Sequence, residues 1–396
     1  MSDAAQHLLS YVEESTRGTT PTNPRFRRLP DTRVTGGLQK DVLPSNRITG
    51  TRIPAEPRHG AKSVVLELPF DLSAIAYDDF LASALQGAWT ETGGTDTITI
   101  EQDSTPTTST VVGDTFSTTN GTVTVEYIDA RAERVDLRYD PTAGSAATTY
   151  QLWNTTDTVT IDGDVFQVTL FTDAEELGTL LAGETRKAFS ILREFTDLGG
   201  GTPKPFLLYK GCEVNTFSLQ AAANGIVTGS FSFFGQSMDA PATAAPTNTD
   251  YAPEFSTVAF DTFSGDAKID GVSSSIVVDF NLTVNNNIAA RYAVGVATSR
   301  DPSNGDQPIE GNVTLNFENA DLYEKFVNDT SFSLEFQFKD ATDRELTLTL
   351  PNCRVGSGVA PDVSAQGDIN ISIPFTAHND VATGSHAKLV RKKPTV

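Results

Sequence analysis

The stretch FLLYKGCEVNTFSLQAAANGIVTGSFSFFGQSM, residues 206–238, carries the pattern that decides the fold. Its first part predicts a strand around residues 213–219. In its second part Val227, Phe231 and Phe233 share one face, and Thr and Ser side chains occupy the other. A period of two residues is typical of a strand that is buried on one face only. The stretch therefore predicts two strands joined by a short loop.

The same pattern recurs further along the chain. GCEV at residues 211–214 is similar to NCRV at 352–355, and GIVTGSFSF at 225–233 is similar to GDINISIPF at 367–375. The two cysteines lie 141 residues apart, and the first glycines of the two nonapeptides lie 142 residues apart. The loop between cysteine and nonapeptide is therefore one residue longer in the second copy. These offsets predict that the chain carries one β-rich domain twice.

The order of elements upstream of each cysteine also repeats. Strand patterns at 64–68 and 312–317 are followed by helical patterns at 71–85 and 320–327. Between its helix and its cysteine, the first copy holds 105 more residues than the second. The extra residues, at about 90–183, alternate in polarity and contain Asn-Gly and Asp-Gly turns, which predict a small inserted β-barrel or sandwich. Its strands are predicted at 96–100, 122–128, 134–139, 158–161 and 165–171.

The chain is therefore expected to be mainly β. Two tandem domains of the β-sandwich or barrel type, each with one flanking helix, would carry the small inserted β-domain. Residues 3–15 are compatible with a helix capped by Asp3, and the Pro- and Gly-rich segment after them predicts an extended arm. The predicted boundaries are an N-terminal arm at 1–62, a discontinuous first domain at 63–89 and 184–238, the insertion at 90–183, a linker at 239–256, a second domain at 257–382 and a basic tail at 383–396.

Charge is distributed unevenly along the 396 residues. The net charge is −22, but residues 1–62 carry +4 and residues 63–387 carry −30. A large net charge favours solubility, and an acidic body with basic ends also predicts a surface that does not hold nucleic acid. No apolar run approaches the roughly 18 residues that a membrane span needs, and the N-terminus lacks the pattern of a signal peptide. The two cysteines are expected to pack as small apolar side chains in a protein assembled in a reducing cytoplasm.

The basic residues of the N-terminal arm admit two interpretations. An arginine run could bind nucleic acid, but the run has little aromatic interleaving beyond Phe26 and the rest of the protein is acidic. We therefore expect the arm to dock on acidic surfaces of neighbouring subunits or rings. The residues assigned to this role are Arg25, Phe26, Arg27, Arg28, Arg33, Arg47 and Arg52.

Candidate residues for chemistry do not form a recognisable constellation. None of the histidines at 7, 59, 378 and 386 stands at metal-ligand spacing from a cysteine or a carboxylate pair. The GGGTP sequence at residues 199–203 lacks the lysine and the following helix of a phosphate-binding loop. We expect no catalytic residues, no cofactor and no metal, and the protein is not expected to be an enzyme.

Several motifs together resemble a known family. They are YVEESTRGTTP at 11–21, SNRITGTR at 45–52, KAFSILREF at 187–195 and the two strands of the first stretch at 211–219 and 225–233. In this order they resemble the major tail tube proteins of long-tailed, siphovirus-like bacteriophages, of the larger type with an extended N-terminal arm. The resemblance covers most of residues 10–240, and the internal repeat extends it to the second copy, which implies a duplicated tube domain.

The resemblance implies a structural virion protein of the tail, assembled in the host bacterial cytoplasm. Rings of six tube domains stack into a conduit for DNA ejection, so a duplicated chain needs three copies for a pseudo-sixfold ring. The implied partners are the chain itself, the tail tip, tape measure and tail terminator proteins, and genomic DNA that passes without specific binding; no membrane partner is implied. Carboxylates along such a lumen would repel DNA. The outward faces of the two strands assign Thr228, Ser230, Ser232, Asp368, Asn370 and Ser372 to the lumen.

Three alternatives have different consequences. A virion decoration protein or adhesin that binds host surface glycans would stay a discrete oligomer with an exposed aromatic patch. The inner tube of a contractile injection machine would need a sheath partner. A glycan hydrolase, the least favoured alternative, would need converging carboxylates in a cleft.

Overall fold

The computed structural model is mainly β, as the sequence predicts. It describes residues 6–393 apart from 31–32, 46–49, 51, 53–55, 94–96, 103–104, 119–120, 130–133, 142–147, 153–157, 162, 173–175, 199–203, 253–256, 318–323, 326, 343, 357–360 and 363–368. Within the described residues, no helix is long and apolar enough to cross a membrane.

Among the described residues, the named elements are twenty-eight strands and one helix. The first group is β1 (His7–Glu14), β2 (Arg25–Arg28), β3 (Thr35–Leu43), β4 (Arg58–Asp71), α1 (Asp78–Ala84) and β5 (Trp89–Gly93). The second group is β6 (Thr97–Gln102), β7 (Thr105–Thr110), β8 (Thr115–Thr118), β9 (Gly121–Asp129), β10 (Arg134–Pro141), β11 (Thr148–Leu152), β12 (Thr158–Ile161) and β13 (Asp164–Thr172). The third group is β14 (Glu176–Leu181), β15 (Ala188–Phe195), β16 (Phe206–Ala222), β17 (Thr228–Gly235), β18 (Ser237–Met238), β19 (Asp250–Ala252), β20 (Asp261–Ile269), β21 (Val272–Ser273), β22 (Val277–Asn285), β23 (Ile309–Asn316), β24 (Phe332–Lys339), β25 (Glu345–Val355), β26 (Pro361–Asp362), β27 (Asn370–Ala377) and β28 (Lys388–Lys393).

The stretch at 206–238 forms the predicted pair of strands. β16 and β17 are antiparallel, and their register runs from Glu213 opposite Phe234 to Gln220 opposite Thr228. Val227, Phe231 and Phe233 are all buried, as the alternation predicts. Phe231 stacks on Phe70 of β4, with ring centroids 4.6 Å apart. This aromatic cluster forms the centre of the main core.

Two helix predictions need correction. Residues 3–15 do not form a helix, since residues 7–14 are strand β1, which pairs along its whole length with β15. The alternating burial of Leu9 and Tyr11 against the core outweighs the weak helical preference of so short a segment. The helix predicted at 71–85 begins only at Asp78, because β4 continues to Asp71 and Ile75 has a φ of +68°. In the second helical segment, predicted at 320–327, Glu324, Lys325 and Val327 are helical and the other residues lie outside the described part of the chain.

The inserted segment has a core of its own. Its eight strands form two four-stranded sheets, β11-β10-β9-β8 and β12-β13-β6-β7. The five strands predicted for this segment are β6, β9, β10, β12 and β13; β7, β8 and β11 lack the apolar alternation that would have indicated them. The buried side chains between the sheets are Ile98, Ile100, Val123, Val125, Ile128, Val135, Leu137, Ile161, Phe166 and Val168. The other twenty strands form one hydrogen-bonded network.

The two ends of the chain become parts of this network. β28, in the segment predicted to be a basic tail, pairs with β14 on one side and with β25 on the other. Arg391 of β28 forms an ion pair with Asp78 of α1, and its guanidinium lies 5.0 Å from the ring centre of Trp89. In the predicted linker, β19 pairs in parallel with β2. Both cysteines are free and buried, which confirms their expected role as small core residues.

Candidate functional site

The two halves of the chain share one sheet. β16 of the first half pairs antiparallel with β22 of the second, from Thr216 opposite Asn285 to Ala222 opposite Asp279. β17 and β4 continue the sheet on one side, and β23 and β27 continue it on the other. The strand order across the junction is therefore β3-β4-β17-β16-β22-β23-β27.

One face of this sheet packs on the core and the other face is polar. Each strand alternates between buried apolar residues and more exposed polar ones, so the polar side chains collect on a single surface. We call this surface the polar sheet face. It comprises Ser63, Val65, Glu67, Pro69 and Asp71 of β4, Thr228, Ser230 and Ser232 of β17, Thr216, Ser218 and Gln220 of β16, Asp279, Asn281, Thr283 and Asn285 of β22, Glu310, Asn312, Thr314 and Asn316 of β23, and Asn370, Ser372, Pro374 and Thr376 of β27.

The charge of the polar sheet face has one sign. Its charged members are Glu67, Asp71, Asp279 and Glu310, and none of its strand positions named above holds a lysine or an arginine. Arg33, in the segment before β3, forms an ion pair with Asp71 at 3.2 Å and so offsets one of these carboxylates at the margin. A surface with carboxylates and hydroxyl groups but without cations repels a polyanion and offers no site that would trap its phosphates.

Hydrogen bonds tie neighbouring polar side chains of this face together. The Oγ atoms of Ser218 and Ser230 lie 2.8 Å apart, on adjacent strands of the first half. In the second half, Asn312 Nδ2 donates to Ser372 Oγ at 2.5 Å. Both hydrogen bonds join short, uncharged side chains on neighbouring strands.

Five of the six residues expected to line the lumen lie on the polar sheet face. They are Thr228, Ser230, Ser232, Asn370 and Ser372, and the sixth, Asp368, lies outside the described residues. The strand pattern did not single out Glu67, Asp279 and Glu310, which carry most of the charge of this face. Alternation was visible in VVLELPF at residues 64–70, but the junction that brings these strands together has no local signal.

The arginines of the N-terminal segment have partners within their own chain. Arg25 Nη2 lies 2.7 Å from Asp136 of the insertion, and the same guanidinium also forms an ion pair with Glu126. Arg25 Nε lies 3.6 Å from Asp250 of β19. Arg25 therefore fastens the insertion to the body through two carboxylates of the insertion, and a third carboxylate, from β19, holds the guanidinium on the side of the body.

Three further residues of this segment, Phe26, Arg27 and Arg28, also contact side chains of their own chain. Phe26 is fully buried beside Leu192 and Leu208, so this chain itself covers its side chain. Arg27 Nη1 lies 3.8 Å from Asp79 Oδ2, and the guanidinium of Arg28 lies 4.9 Å from the ring centre of Tyr251. Arg52 is exposed, and Arg47 lies outside the described residues. A role of this segment between subunits stays a prediction.

A buried carboxylate joins the N-terminal segment to both halves. Glu213 of β16 accepts hydrogen bonds from Arg17 and from Arg186, the latter at 2.8 and 2.9 Å. Arg186 Nη1 also donates to Asp301 at 3.0 Å, and Arg17 Nη1 donates to the carbonyl of Arg300 at 3.3 Å. The cluster fixes the loop at 286–308 of the second half onto the first half. The spacing of these residues along the sequence gave no sign of it.

The fold and the polar sheet face define a mainly β structural protein. A model of the phage tail tube protein family matches residues 4–377, so the chain belongs to this family. It is accordingly a structural component of a phage tail and not an enzyme. No curated protein shows significant similarity to the chain. Among the described residues, no group of three or more His, Cys, Asp or Glu side chains is arranged to hold a metal ion.

Proposed function

We propose that three copies of this chain close into a pseudo-sixfold ring and that the rings stack into the tail tube, the conduit for DNA ejection. In this arrangement the polar sheet face lines the lumen. The β16–β22 junction carries the proposal, because it joins two similar halves edge to edge in one sheet. A contact that joins the next copy in the same way and then closes generates a ring without free sheet edges.

The pairing pattern of the two halves supports a duplicated tube domain. The first half has the order β15-β16-β17-β4, and the second has the order β24-β25-β27-β23, with every pair antiparallel. Cys212 lies opposite Phe189, and Cys353 lies opposite Phe332, each beside a register shift. Two such domains per chain reduce the number of chains in a six-domain ring to three.

The edge strand β3 supports ring closure. β3 is antiparallel to β4 in the first half, just as β22 is antiparallel to β23 in the second. The other edge of β22 pairs with β16, whereas in the described part of the chain β3 pairs only with β4. The corresponding partner for β3 is the second half of a neighbouring copy. An edge of this kind is a template for pairing with another chain.

The charge of the polar sheet face supports passage of DNA. DNA must move through a tail tube without being held, and each lysine or arginine that met a phosphate would add affinity. The acidic lumen proposed here consists of the four carboxylates named above among hydroxyl and amide groups. Tail tip, tape measure and tail terminator proteins belong to the same proposal as the partners at the ends of the tube.

Electron microscopy and native mass spectrometry of the purified chain test this proposal. The expected result is stacked rings with a lumen a few nanometres wide, each with three chains and six density lobes around the axis. Rings of six chains would contradict the duplication and leave the tube function standing. Discrete particles under all conditions, including the presence of tail-tip nucleators, would contradict the tube and favour a decoration protein or adhesin.

A further inference from the structure

The second half of the chain carries an apolar groove at one end and an apolar loop at the other. β22 connects the two ends, since it begins at Val277 beside the groove and ends at Asn285 before the loop at 286–308. Nine residues at about 3.3 Å each separate the ends by roughly 25–30 Å. The groove and the loop therefore lie too far apart to contact each other within one copy.

The groove opens between β20, β22 and β24. Its volume is about 500 Å³, and its apolar lining includes Phe263, Phe280, Phe336 and Phe338. Phe263 is 75% exposed, although an aromatic side chain of this size gains free energy by burial. Asp266 lines the groove and Asp261 stands next to its lining residue Thr262. Both carboxylates accept hydrogen bonds from neighbouring groups of the same chain, but within the described residues neither forms an ion pair.

The loop presents a complementary tip. Tyr292, Val294 and Val296 are 45%, 106% and 46% exposed. Val294 is the first central residue of a turn that is closed by a hydrogen bond from Val296 N to Ala293 O. Arg291 and Arg300 flank the tip and are bonded to each other through their backbones at 2.9 Å. Neither guanidinium makes an ion pair within the described residues.

The base of the loop is held in place. Lys62 N donates to Ala297 O at 2.7 Å, Arg17 Nη1 donates to Arg300 O at 3.3 Å, and Ser299 is fully buried. The tip is therefore presented on a fixed base, and its conformational entropy is partly lost before any contact forms. Such preorganisation strengthens a contact without additional area.

We propose that the tip at residues 291–296 of one copy occupies the groove of a second copy in the adjacent ring. The proposal rests on the proposed tube function and names the axial contact that stacks the rings. The apolar tip fills the phenylalanine-lined groove, and the flanking arginines meet the carboxylates of Asp261 and Asp266. A contact between different surfaces at opposite ends repeats without limit along the axis, as filament growth requires.

Cross-linking tests the contact directly. Val294→Cys and Phe263→Cys are introduced together, and assembled tubes are treated with a short bismaleimide. The native cysteines are buried, so the engineered pair dominates the reaction. Cross-linked ladders that exceed the mass of one ring are expected, and each single variant serves as the control. Tubes that form without such ladders would overturn the axial contact alone, whereas failure of the unmodified chain to form tubes would overturn the proposed function as well.

Charge exchange provides a second measurement. Arg291→Glu is expected to leave rings intact and to abolish sedimentable tubes, and Asp266→Lys in the same chain is expected to restore them. Val294→Asp is expected to act like Arg291→Glu, with Val112→Asp on the insertion as a matched control because Val112 is 50% exposed there. Circular dichroism and ring mass verify that each variant folds. Normal tube growth by Arg291→Glu and Val294→Asp would refute the contact.

Discussion

Phe217 of β16 lies directly opposite Val284 of β22, and both side chains are buried. This pair belongs to the junction at which the two halves of the chain become one sheet. A backbone ladder and a shared core hold the halves at one angle, which a flexible linker alone would leave free. A fixed angle between the two halves is the geometric condition for closing the proposed ring of three chains.

Two half-buried glycines, Gly229 and Gly311, make room for phenylalanine rings in this sheet. A Cβ at Gly229 would stand 2.6 Å from Cζ of Phe70, and a Cβ at Gly311 would stand 2.5 Å from Cζ of Phe375. In both cases a backbone carbonyl oxygen lies only 2.3 Å from the added atom, so a side-chain rotation cannot relieve the clash.

Gly229→Ala and Gly311→Ala are therefore each expected to lower the free energy of unfolding by about 1–3 kcal/mol. Guanidinium titration of both variants measures the change. Thr283→Ala, an exposed position on neighbouring β22, is the control and should stay within about 0.5 kcal/mol of the unmodified chain. Stability equal to that of the control would show that the sheet relaxes around the added methyl group.

Glu310→Lys places a cation on the polar sheet face, where Glu310 is exposed. If this face lines the lumen, tubes of the variant should retain double-stranded DNA at low salt and release it as the salt concentration rises, because each lysine–phosphate contact adds a counterion-release contribution. DNA ejection from phage particles that carry the variant should slow.

The matched control for Glu310→Lys is Glu101→Lys on β6 of the insertion, which makes the same change in charge away from the polar sheet face. Filter binding at 50 and 200 mM salt and ejection kinetics are the measurements. Equal DNA retention by both variants would mean that the lysine acts through total charge and would argue against a lumenal position of Glu310.

Arg25→Ala is expected to loosen the insertion from the body. The carboxylate of Asp136 is nearly buried, and removing a guanidinium that neutralises it should cost about 3 kcal/mol. Arg33→Ala is the control, since its ion pair with Asp71 is exposed and should contribute no more than about 1 kcal/mol. Hydrogen exchange should rise in strands β9 and β10 of the Arg25 variant and stay unchanged in β16 and β17. If hydrogen exchange in β9 and β10 is no faster in the Arg25 variant than in the Arg33 variant, Arg25 does not fasten the insertion.

The buried thiols give a prediction for pH. Burial raises the pKa of Cys353 to about 12 and raises that of Cys212 even further. Because the thiolate is the reactive form, neither cysteine should react with Ellman's reagent at pH 8 in the folded chain, and both should react after denaturation. Because the thiol pKa is higher in the folded chain than in the unfolded chain, burial of the neutral thiol contributes to stability. This contribution is fully present below the pKa of the unfolded thiol, about 8.5, and it declines as the pH rises above that value. Rapid labelling of the native chain at pH 8 would show that the strands around these residues open.

Much of the fold follows from the local pattern. The alternation in residues 225–233 correctly predicts that Val227, Phe231 and Phe233 face the core, and it also places Thr228, Ser230 and Ser232 on the opposite face. The strands of the insertion are predicted wherever branched and aromatic residues alternate with polar ones. The helical pattern of residues 3–15 is ambiguous, because a short segment with Leu8, Leu9 and Val12 fits either period, and the ladder with β15 selects a strand at residues 7–14.

The sequence by itself determined the strands with clear alternation, such as β6, β9, β10, β13 and β17, the buried face of β17, the repeated order around Cys212 and Cys353, and the net negative charge of residues 63–387. Tertiary structure alone decided that β16 pairs with β22, that β28 lies between β14 and β25, and that Arg25 reaches Asp136. The reason is physical. The period of the apolar residues along a strand shows which of its side chains are buried and which are exposed to water. The choice of a distant partner strand depends instead on the packing free energy summed over many residues, and no spacing in the sequence encodes that choice.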